Sequence, residues 1–416
     1  GATLPVKVLQ VSDHDLTSRR YNGYDLLDDL ASRGIEGRQA VLRKQSSDPR
    51  VLELLRDDED RELQAALLNV ERRASFDNVL FPWGRRLVSE PAFQEADVVH
   101  YHVIHHKMIS LADLPMLFSA KPSVWTFHDP WPITGHCVHP ETCEGWLTGC
   151  TPCPHLDALF PMAEDKAGAM WQLKREMFER SDVDLVVSSR FMLDMVERAG
   201  ILSDHVRVHL IPFGLDLDTF RPTDRSEARK RLGIPQDDAV ILLRASEWSV
   251  KGLPHLREAM LSSPATRRTT LLTVGSAGLL HDLRDRYTIK DLGTVTDQST
   301  MVSAYAACDA FVMPSTAESF GMMAVEAMAC ARPVVCFAGT TVEDITFAPD
   351  VGLAVPFGDA RALRAGIDAL LENPAEAERR GALGRKIAER EYGQERYLDQ
   401  LAALYTAVAH KVRGLS

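Results

Sequence analysis

Short apolar segments alternate with segments of helical periodicity along this chain, and the alternation occurs in two blocks. The first block begins with a strand predicted at residues 6–11, and the second with a strand predicted at residues 239–244. Between the blocks, residues 211–216 (IPFGLD) combine proline and glycine, which is typical of a hinge. Alternating strands and helices build parallel sheets with helices on both faces. The sequence therefore predicts an α/β protein of two doubly wound, Rossmann-like domains.

Composition limits the classes of partner that this chain can bind. Its 416 residues are too many for one ordinary core, and 45 % apolar with 25 % charged residues is typical of a globular protein. The formal charge of −12 disfavours nucleic acid and anionic membranes. No apolar run approaches the roughly 20 residues of a transmembrane helix, and the N-terminus lacks a signal-peptide pattern. We therefore expect no nucleic-acid partner, no transmembrane segment and a cytoplasmic location.

The stretch most typical of a ligand site is residues 314–337, PSTAESFGMMAVEAMACARPVVCF. It predicts a loop, a helix with Ser319 as its N-cap, and a short strand at residues 334–337. The first N–H groups of a helix have no partner within the helix, and Gly321 lets a ligand approach the backbone closely. Such a helix start suits a phosphate.

Two carboxylates, Glu318 and Glu326, flank this helix start with a Glu-x7-Glu spacing. A carboxylate beside a diphosphate is repelled, so both are expected to accept hydrogen bonds from hydroxyls of the same ligand. A phosphate held by backbone and hydroxyls held by carboxylates describe a nucleotide-sugar. The alternative is that acidic residues only favour the helix N-terminus, where they contribute ~0.3–1 kcal/mol.

The same stretch resembles the Glu-x7-Glu signature of glycosyltransferase family 4, retaining enzymes that use nucleotide-sugars and have the B-type fold. The resemblance implies that Glu326 binds the ribose and that Glu318 binds hydroxyls of the donor sugar. N–H groups around Phe320, Gly321 and Met322 would then hold the sugar and the diphosphate. It also implies that two domains, 1–211 for the acceptor and 212–394 for the donor, face a cleft, and that a last helix, 395–416, crosses back to the first domain.

Two further segments match the family in part. Lys251 and Gly252 precede a predicted helix, resemble the Lys-Gly step of the family, and make Lys251 the strongest single candidate for the donor diphosphate. Family members commonly carry an arginine five residues before that lysine; here Ser246 occupies the place, and Arg244 is the candidate that replaces it. The first loop has one glycine, Gly23, where the family usually has a pair.

That first loop follows the strand at residues 6–11, where a doubly wound sheet places its ligands. Its candidate residues for contact with the acceptor or the donor phosphate are Asp13, Arg19, Arg20 and Gly23. For each arginine taken singly, a solvated loop is an equally good interpretation.

His128 lies at the end of another predicted strand, in TFHDPWPITGHC. This segment resembles a subgroup of bacterial polysaccharide and glycoconjugate transferases, in which the corresponding histidine lies at the reaction centre. The resemblance makes His128 a catalytic candidate, whereas Asp129 is expected to cap the next turn. Four nearby histidines invite a metal interpretation, but neighbours along a strand point to opposite faces, which favours roles in the cleft or the core; they are His100, His102, His105 and His106.

Four of the seven cysteines follow at once, spaced as Cys137-x5-Cys143-x6-Cys150-x2-Cys153. The C-x2-C half is a good zinc chelate, so a structural zinc that holds this irregular loop is one prediction. Free buried thiols or a disulfide are the alternatives. A catalytic zinc is disfavoured, because a site of four thiolates has no open position for water.

The residues and the resemblance together predict a glycosyltransferase that moves a sugar from a UDP-, GDP-, ADP- or TDP-linked donor to an acceptor hydroxyl. The resemblance implies that it is a retaining enzyme that works by front-side transfer. Lys251 stabilises the leaving diphosphate, and no cofactor is required for catalysis. The alternatives are a sugar-nucleotide epimerase, which needs acid and base carboxylates in the N-terminal half, and a zinc-stapled interaction module without activity on the same fold.

Overall fold

The computed structural model describes residues 2–157 and 160–413. The chain divides into two compact units. The N-terminal unit comprises Gly1–Ile211 and Leu398–Ser416, and the C-terminal unit comprises Pro212–Tyr397. Each unit is built on its own parallel sheet.

The N-terminal unit contains a sheet of seven parallel strands in the order β3-β2-β1-β4-β5-β6-β7. Its strands are β1 (Val6–His14), β2 (Ile35–Arg43), β3 (Val51–Glu53), β4 (Val98–Tyr101), β5 (Ser123–Thr126), β6 (Val183–Val187) and β7 (Val206–Leu210). Its helices are α1 (Leu26–Asp29), α2 (Asp58–Ala74), α3 (Trp83–Val88), α4 (Pro91–Glu95), α5 (Leu114–Ala120), α6 (Ala167–Glu179) and α7 (Arg190–Arg198).

The C-terminal unit contains six parallel strands in the order β10-β9-β8-β11-β12-β13. They are β8 (Ala239–Ala245), β9 (Thr269–Gly275), β10 (Thr288–Asp291), β11 (Ala310–Met313), β12 (Val334–Phe337) and β13 (Leu353–Val355). The helices are α8 (Arg225–Leu232), α9 (Leu253–Leu261), α10 (Gln298–Ala307), α11 (Met322–Ala329), α12 (Thr341–Ile345), α13 (Ala360–Glu372) and α14 (Pro374–Glu391). The last helix, α15 (Gln394–Arg413), joins the N-terminal unit from Leu398 onwards.

Burial along the strands explains why they read as continuous apolar runs. Every residue of β4, β5, β6 and β12 is buried, as expected where helices cover both faces of a parallel sheet. The edge strands β7 and β10 are only partly buried. The doubly wound α/β architecture predicted from the alternation is therefore confirmed.

Several helices begin at a capping side chain. Asp57, Ser189 and Asp297 each accept a hydrogen bond at the start of α2, α7 and α10, in the manner of N-cap side chains. Within residues 2–157 and 160–413, no helix combines the length and the apolar character needed to cross a membrane.

Candidate functional site

The carboxyl end of β11 leads into the loop and helix that the sequence analysis singled out. The prediction that Ser319 caps this helix is wrong: α11 begins at Met322, and Gly321 precedes it in a left-handed conformation with φ of 97°. Gly321 is needed for that backbone angle, which residues with a Cβ adopt at a cost. The Phe320 ring is buried against Phe213 and Tyr392, so residue 320 offers a ligand its backbone only.

Lys251 and Glu318 meet in the C-terminal unit. Gly252 has a φ of +78°, and a Cβ added to it would lie 1.8 Å from the carbonyl oxygen of Pro314, so only glycine lets the two loops pack this closely. The contact places Lys251 Nζ 2.7 Å from Glu318 Oε1, and the Ser315 hydroxyl donates to the same oxygen at 3.0 Å. Two candidates predicted separately are thus joined in one largely buried ion pair.

Glu326 is buried on α11 and accepts a hydrogen bond of 2.9 Å from the hydroxyl of Tyr305. Burial raises the pKa of Tyr305 well above its ordinary value, and the charge of Glu326 raises it further. The phenol therefore stays a donor and orients the carboxylate. The sequence analysis missed Tyr305, since it lies on α10 and nothing in its local pattern points to Glu326.

Arg244 is the last residue but one of β8, and its side chain is exposed. Within the part of the chain that the structure describes, its guanidinium makes no hydrogen bond or ion pair. Its role at the donor phosphate stays a prediction.

His128 follows β5 in the N-terminal unit, and its Nε2 lies 3.0 Å from Nδ1 of His102. Burial lowers the pKa of His128 to about 4, so the imidazole is neutral at physiological pH. The next residue, Asp129, accepts hydrogen bonds from Nε2 of His105 at 2.9 Å and from the Trp131 N–H at 2.8 Å. Asp129 thus caps the turn, as expected, and also holds His105.

The candidate residues of the loop that follows β1 make different contacts. Asp13 lies 2.7 Å from Nδ1 of His106, and although burial alone would raise the pKa of Asp13, the hydrogen bond and charge of His106 lower it overall. Arg19 forms an ion pair of 2.6 Å with Asp25, and Arg20 lies over the Tyr21 ring at 6.0 Å. Their contact with an acceptor or a phosphate stays a prediction.

Gly23 has a φ of +96°, and a Cβ there would lie 2.7 Å from Cβ and Oε1 of Gln10. The glycine therefore makes room for the Gln10 side chain. Gln10 was missed by the sequence analysis, although a polar residue inside an apolar strand is a signal for a buried hydrogen-bonded group.

The four clustered cysteines are free and line one cavity of about 280 Å³, together with His136, His139 and His155. Cys150 Sγ accepts a hydrogen bond of 3.3 Å from the Gly135 N–H, and His136 Nε2 lies 3.3 Å from Cys153 Sγ. Burial raises the pKa of Cys137 to about 12. Among the described residues, no group of three or more His, Cys, Asp or Glu side chains has the arrangement of a metal site. The structural zinc at Cys137, Cys143, Cys150 and Cys153 stays a prediction.

Comparison with solved structures supports the fold. Sucrose-phosphate synthase from Thermosynechococcus elongatus matches with a TM-score of 0.64 and 19 % identity, over 100 % of both chains. HepE from Anabaena, in complex with UDP and glucose, matches with a TM-score of 0.64 and 17 % identity, over 97 % of this chain and 100 % of that one. At such identities the likeness shows the fold alone, and the fold is that of the B-type glycosyltransferases.

Curated relatives are similar at higher identity over shorter lengths. D-inositol 3-phosphate glycosyltransferase 1 of Catenulispora acidiphila is 33 % identical over 227 residues, which are 50 % of this chain and 53 % of that protein. D-inositol 3-phosphate glycosyltransferase of Kineococcus radiotolerans is 34 % identical over 286 residues, 60 % of this chain and 65 % of that protein. The chain thus spans about half to just under two thirds of the length of these relatives.

The family model described as "Glycosyl transferases group 1" matches residues 224–387, within the C-terminal unit. The matched segment contains Arg244, Lys251, Glu318 and Glu326. The match is consistent with the resemblance to glycosyltransferase family 4 that the Glu-x7-Glu spacing suggested. Residues 224–387 are thus similar to the group 1 glycosyl transferases.

Proposed function

We propose that this chain is a retaining glycosyltransferase that moves a sugar from a nucleotide-diphosphate-sugar to an acceptor hydroxyl. The observation that carries the proposal is the convergence of Lys251 and Glu318 at 2.7 Å beside the loop that leads into α11. A cation for the diphosphate, backbone N–H groups at a helix start and a carboxylate for sugar hydroxyls are then available in one place.

The electrostatics of this site suit departure of a diphosphate. Negative charge accumulates on the leaving group as the glycosidic bond breaks, and Lys251 with the first N–H groups of α11 stabilises that charge more in the transition state than in the ground state. Each such donor contributes about 3–4 kcal/mol in well-studied enzymes. The buried Glu326, oriented by Tyr305, would accept the ribose hydroxyls.

Retention by front-side transfer fits the acidic residues of the N-terminal unit. Asp13 and Asp129 are the carboxylates beside the histidine cluster, and each is hydrogen-bonded to an imidazole, His106 and His105 respectively. Both carboxylates are thus already engaged by neighbouring side chains. In the proposed mechanism the leaving phosphate therefore helps to deprotonate the acceptor hydroxyl, and no divalent metal is required.

The test is calorimetric titration with UDP, GDP, ADP and TDP without added divalent metal, comparing the wild type with Lys251→Ala. We expect one nucleotide to bind and the variant to bind it about 10- to 100-fold more weakly, since a hydrogen bond to a charged group contributes ~1.5–3 kcal/mol. Lys230→Ala, which removes an exposed lysine of α8, is the control and should bind normally. If none of the four nucleotides binds, the proposal fails and the zinc-stapled module gains support.

The acceptor is tested next with the sugar form of whichever nucleotide binds. D-inositol 3-phosphate is one acceptor to include, because the similar curated proteins are named for it. NMR of the new glycosidic bond gives the anomeric configuration. An inverted product would contradict retention, and isomerisation of the donor sugar without transfer would indicate the epimerase.

A further inference from the structure

A continuous chain of side-chain hydrogen bonds crosses the core of the N-terminal unit and ends at His128. Its members come from three strands, from the loops after β4 and β5, and from α15; in order they are Thr126, His100, Tyr405, Gln10, His102 and His128. Of these six residues, Tyr405 is the one that lies on α15. Its hydroxyl lies 2.5 Å from Nδ1 of His100 and 3.0 Å from Nε2 of Gln10. The chain therefore links the last helix to the catalytic candidate.

The Gln10 amide determines which atoms donate and which accept along this series of hydrogen bonds. Its amide has one end that only accepts, Oε1, and one that only donates, Nε2. Oε1 lies 2.6 Å from Nε2 of His102, so that ring nitrogen carries the proton. On the other side, the Gln10 amide N–H donates to Tyr405. The Tyr405 hydroxyl can then donate to Nδ1 of His100, which leaves Nε2 of His100 to donate to Thr126 at 2.7 Å. Each of these hydrogen bonds then has one donor and one acceptor.

The same logic extends to His128. Burial lowers the pKa of His102 well below its ordinary value, so its ring is neutral and has one N–H. That proton is on Nε2, which leaves Nδ1 as an acceptor. The only group it can then accept from across the 3.0 Å contact is an N–H on Nε2 of His128. His128 consequently has its lone pair on Nδ1.

Packing fixes the orientation of Gln10. Gln10 is on β1 and is 1 % exposed. Gly23 packs directly against it: a Cβ built on Gly23 would lie 2.7 Å from Gln10 Oε1. Tyr405 is 0 % exposed and its ring lies edge-on to His100 at 5.5 Å. This packing holds the Gln10 amide between His102 and Tyr405, so the amide orientation sets the proton positions on both sides of it.

We propose that Gln10 and Tyr405 are positioning residues that hold His128 in one neutral tautomer, with the proton on Nε2 and the lone pair on Nδ1. In this form His128 accepts a hydrogen bond from a substrate hydroxyl through Nδ1 and does not donate one there. The part played by His128 in sugar transfer rests on the proposed function; the tautomer itself does not. The orientation of the Gln10 amide thus determines, through His102, which nitrogen of the His128 ring carries the proton.

The experiment is NMR of protein labelled with ¹⁵N at histidine, in which long-range ¹H–¹⁵N correlations distinguish the two neutral tautomers. His128→Asn identifies the signal of residue 128 by its loss. We expect wild-type His128 to be in the Nε2–H form. A wild-type signal in the Nδ1–H form, or an even mixture of both forms, overturns the proposal without any further variant.

Gln10→Met keeps the size of the side chain but removes the acceptor of His102, and Tyr405→Phe removes the acceptor of the Gln10 amide. Both should convert the single His128 tautomer into a mixture. The matched control is Gln39→Met: Gln39 is buried, lies opposite Gln10 in the β1–β2 register, and donates to the carbonyl of Asn22. An unchanged His128 signal in folded Gln10→Met, or an equal change in Gln39→Met, contradicts the role of Gln10.

Nucleotide titration separates this inference from the proposed function. Gln10 has no part in the proposed donor site, so Gln10→Met should bind the nucleotide as the wild type does and lose rate in the transfer step. A protein that binds no nucleotide but shows the Nε2–H tautomer refutes only the proposed function. One that binds nucleotide and shows the opposite tautomer refutes only the inference.

Discussion

Lys251 Nζ lies 2.7 Å from Glu318 Oε1, so two side chains assigned to different parts of the proposed donor neutralise each other. Both are largely buried, with side chains 12 % and 11 % exposed. A diphosphate that binds Lys251 therefore competes with a carboxylate already in place, and a sugar that binds Glu318 separates the pair. The relationship predicts opposite effects of Glu318 on nucleotide binding and on transfer.

Glu318→Gln tests that relationship. The amide keeps the shape of the side chain but removes the negative charge that competes for Lys251, so the nucleoside diphosphate should bind at least as tightly as in the wild type. Transfer should slow by about 10- to 100-fold, because a hydrogen bond from a sugar hydroxyl to a charged acceptor is lost. Calorimetry and initial rates on the same preparation measure both. Weaker nucleotide binding in this variant would contradict the competition.

Tyr305→Phe tests whether Glu326 serves the ribose. Loss of the 2.9 Å hydrogen bond frees the buried carboxylate, and nucleotide affinity should fall about 5- to 10-fold, the equivalent of ~1 kcal/mol. A 2′,3′-dideoxy nucleotide should bind both proteins equally. Tyr287→Phe is the matched control, since Tyr287 is buried in the same unit and its hydroxyl donates to the Met260 carbonyl at 2.6 Å. If Tyr287→Phe weakens binding as much, the effect is one of general stability.

Gly252→Ala tests the loop contact that brings Lys251 to Glu318. The left-handed backbone costs alanine about 1–2 kcal/mol, and the clash with the Pro314 carbonyl adds about 1–3 kcal/mol or displaces the loop. Gly233→Ala shares the positive φ, at +70°, but its nearest neighbour is Lys290 Nζ at 3.8 Å. Urea denaturation should show the larger loss for Gly252→Ala, with loss of nucleotide binding in that variant alone. Equal losses would show that backbone conformation explains both.

The buried histidines predict that stability depends on pH. Burial lowers the pKa of His100 to about 3 and of His128 to about 4, from an ordinary value of 6.5. As pH falls from 6.5 towards 4, the unfolded chain binds protons that the folded protein excludes, so the free energy of unfolding decreases. The loss is about 2 kcal/mol per histidine at about pH 5. Urea denaturation at about pH 7 and about pH 5 measures it.

His128→Asn is the variant that assigns part of this effect. Removing one of the titrating groups should make the pH dependence shallower without abolishing it. A free energy of unfolding that is the same at both pH values would contradict neutral, buried imidazoles.

Metal analysis tests the zinc prediction. If the cysteine cluster binds zinc, purified protein contains one zinc per chain, and a chelator lowers its Tm. Cys150→Ser should reduce the zinc content, whereas Cys308→Ser should not, since Cys308 is buried in the other unit. Protein prepared with added zinc that contains none would show that the four thiols are free.

Local patterns in the sequence were enough to predict much of the fold and some of the residues of the candidate site. Buried strands such as β5 and β12 are continuous apolar runs because helices cover both faces, and that pattern is visible without coordinates. The Glu-x7-Glu spacing located both carboxylates, since residues on one loop and helix are near each other whatever the rest of the chain does. Ser319 was assigned as the cap in error, because the left-handed Gly321 is the residue that precedes the first helical residue, Met322.

The contacts that give the candidate site its chemistry were decided by the tertiary structure. Lys251 and Glu318 are 67 residues apart, and Gln10 and Tyr405 are 395 apart. Periodicity and spacing report which positions are buried, but they contain no information on which buried side chains from different strands and helices face each other. The sequence by itself determined the two doubly wound domains and most of the candidate residues. Packing alone determined their partners, and with them the ion pair at the proposed donor site and the hydrogen-bonded series of side chains that ends at His128.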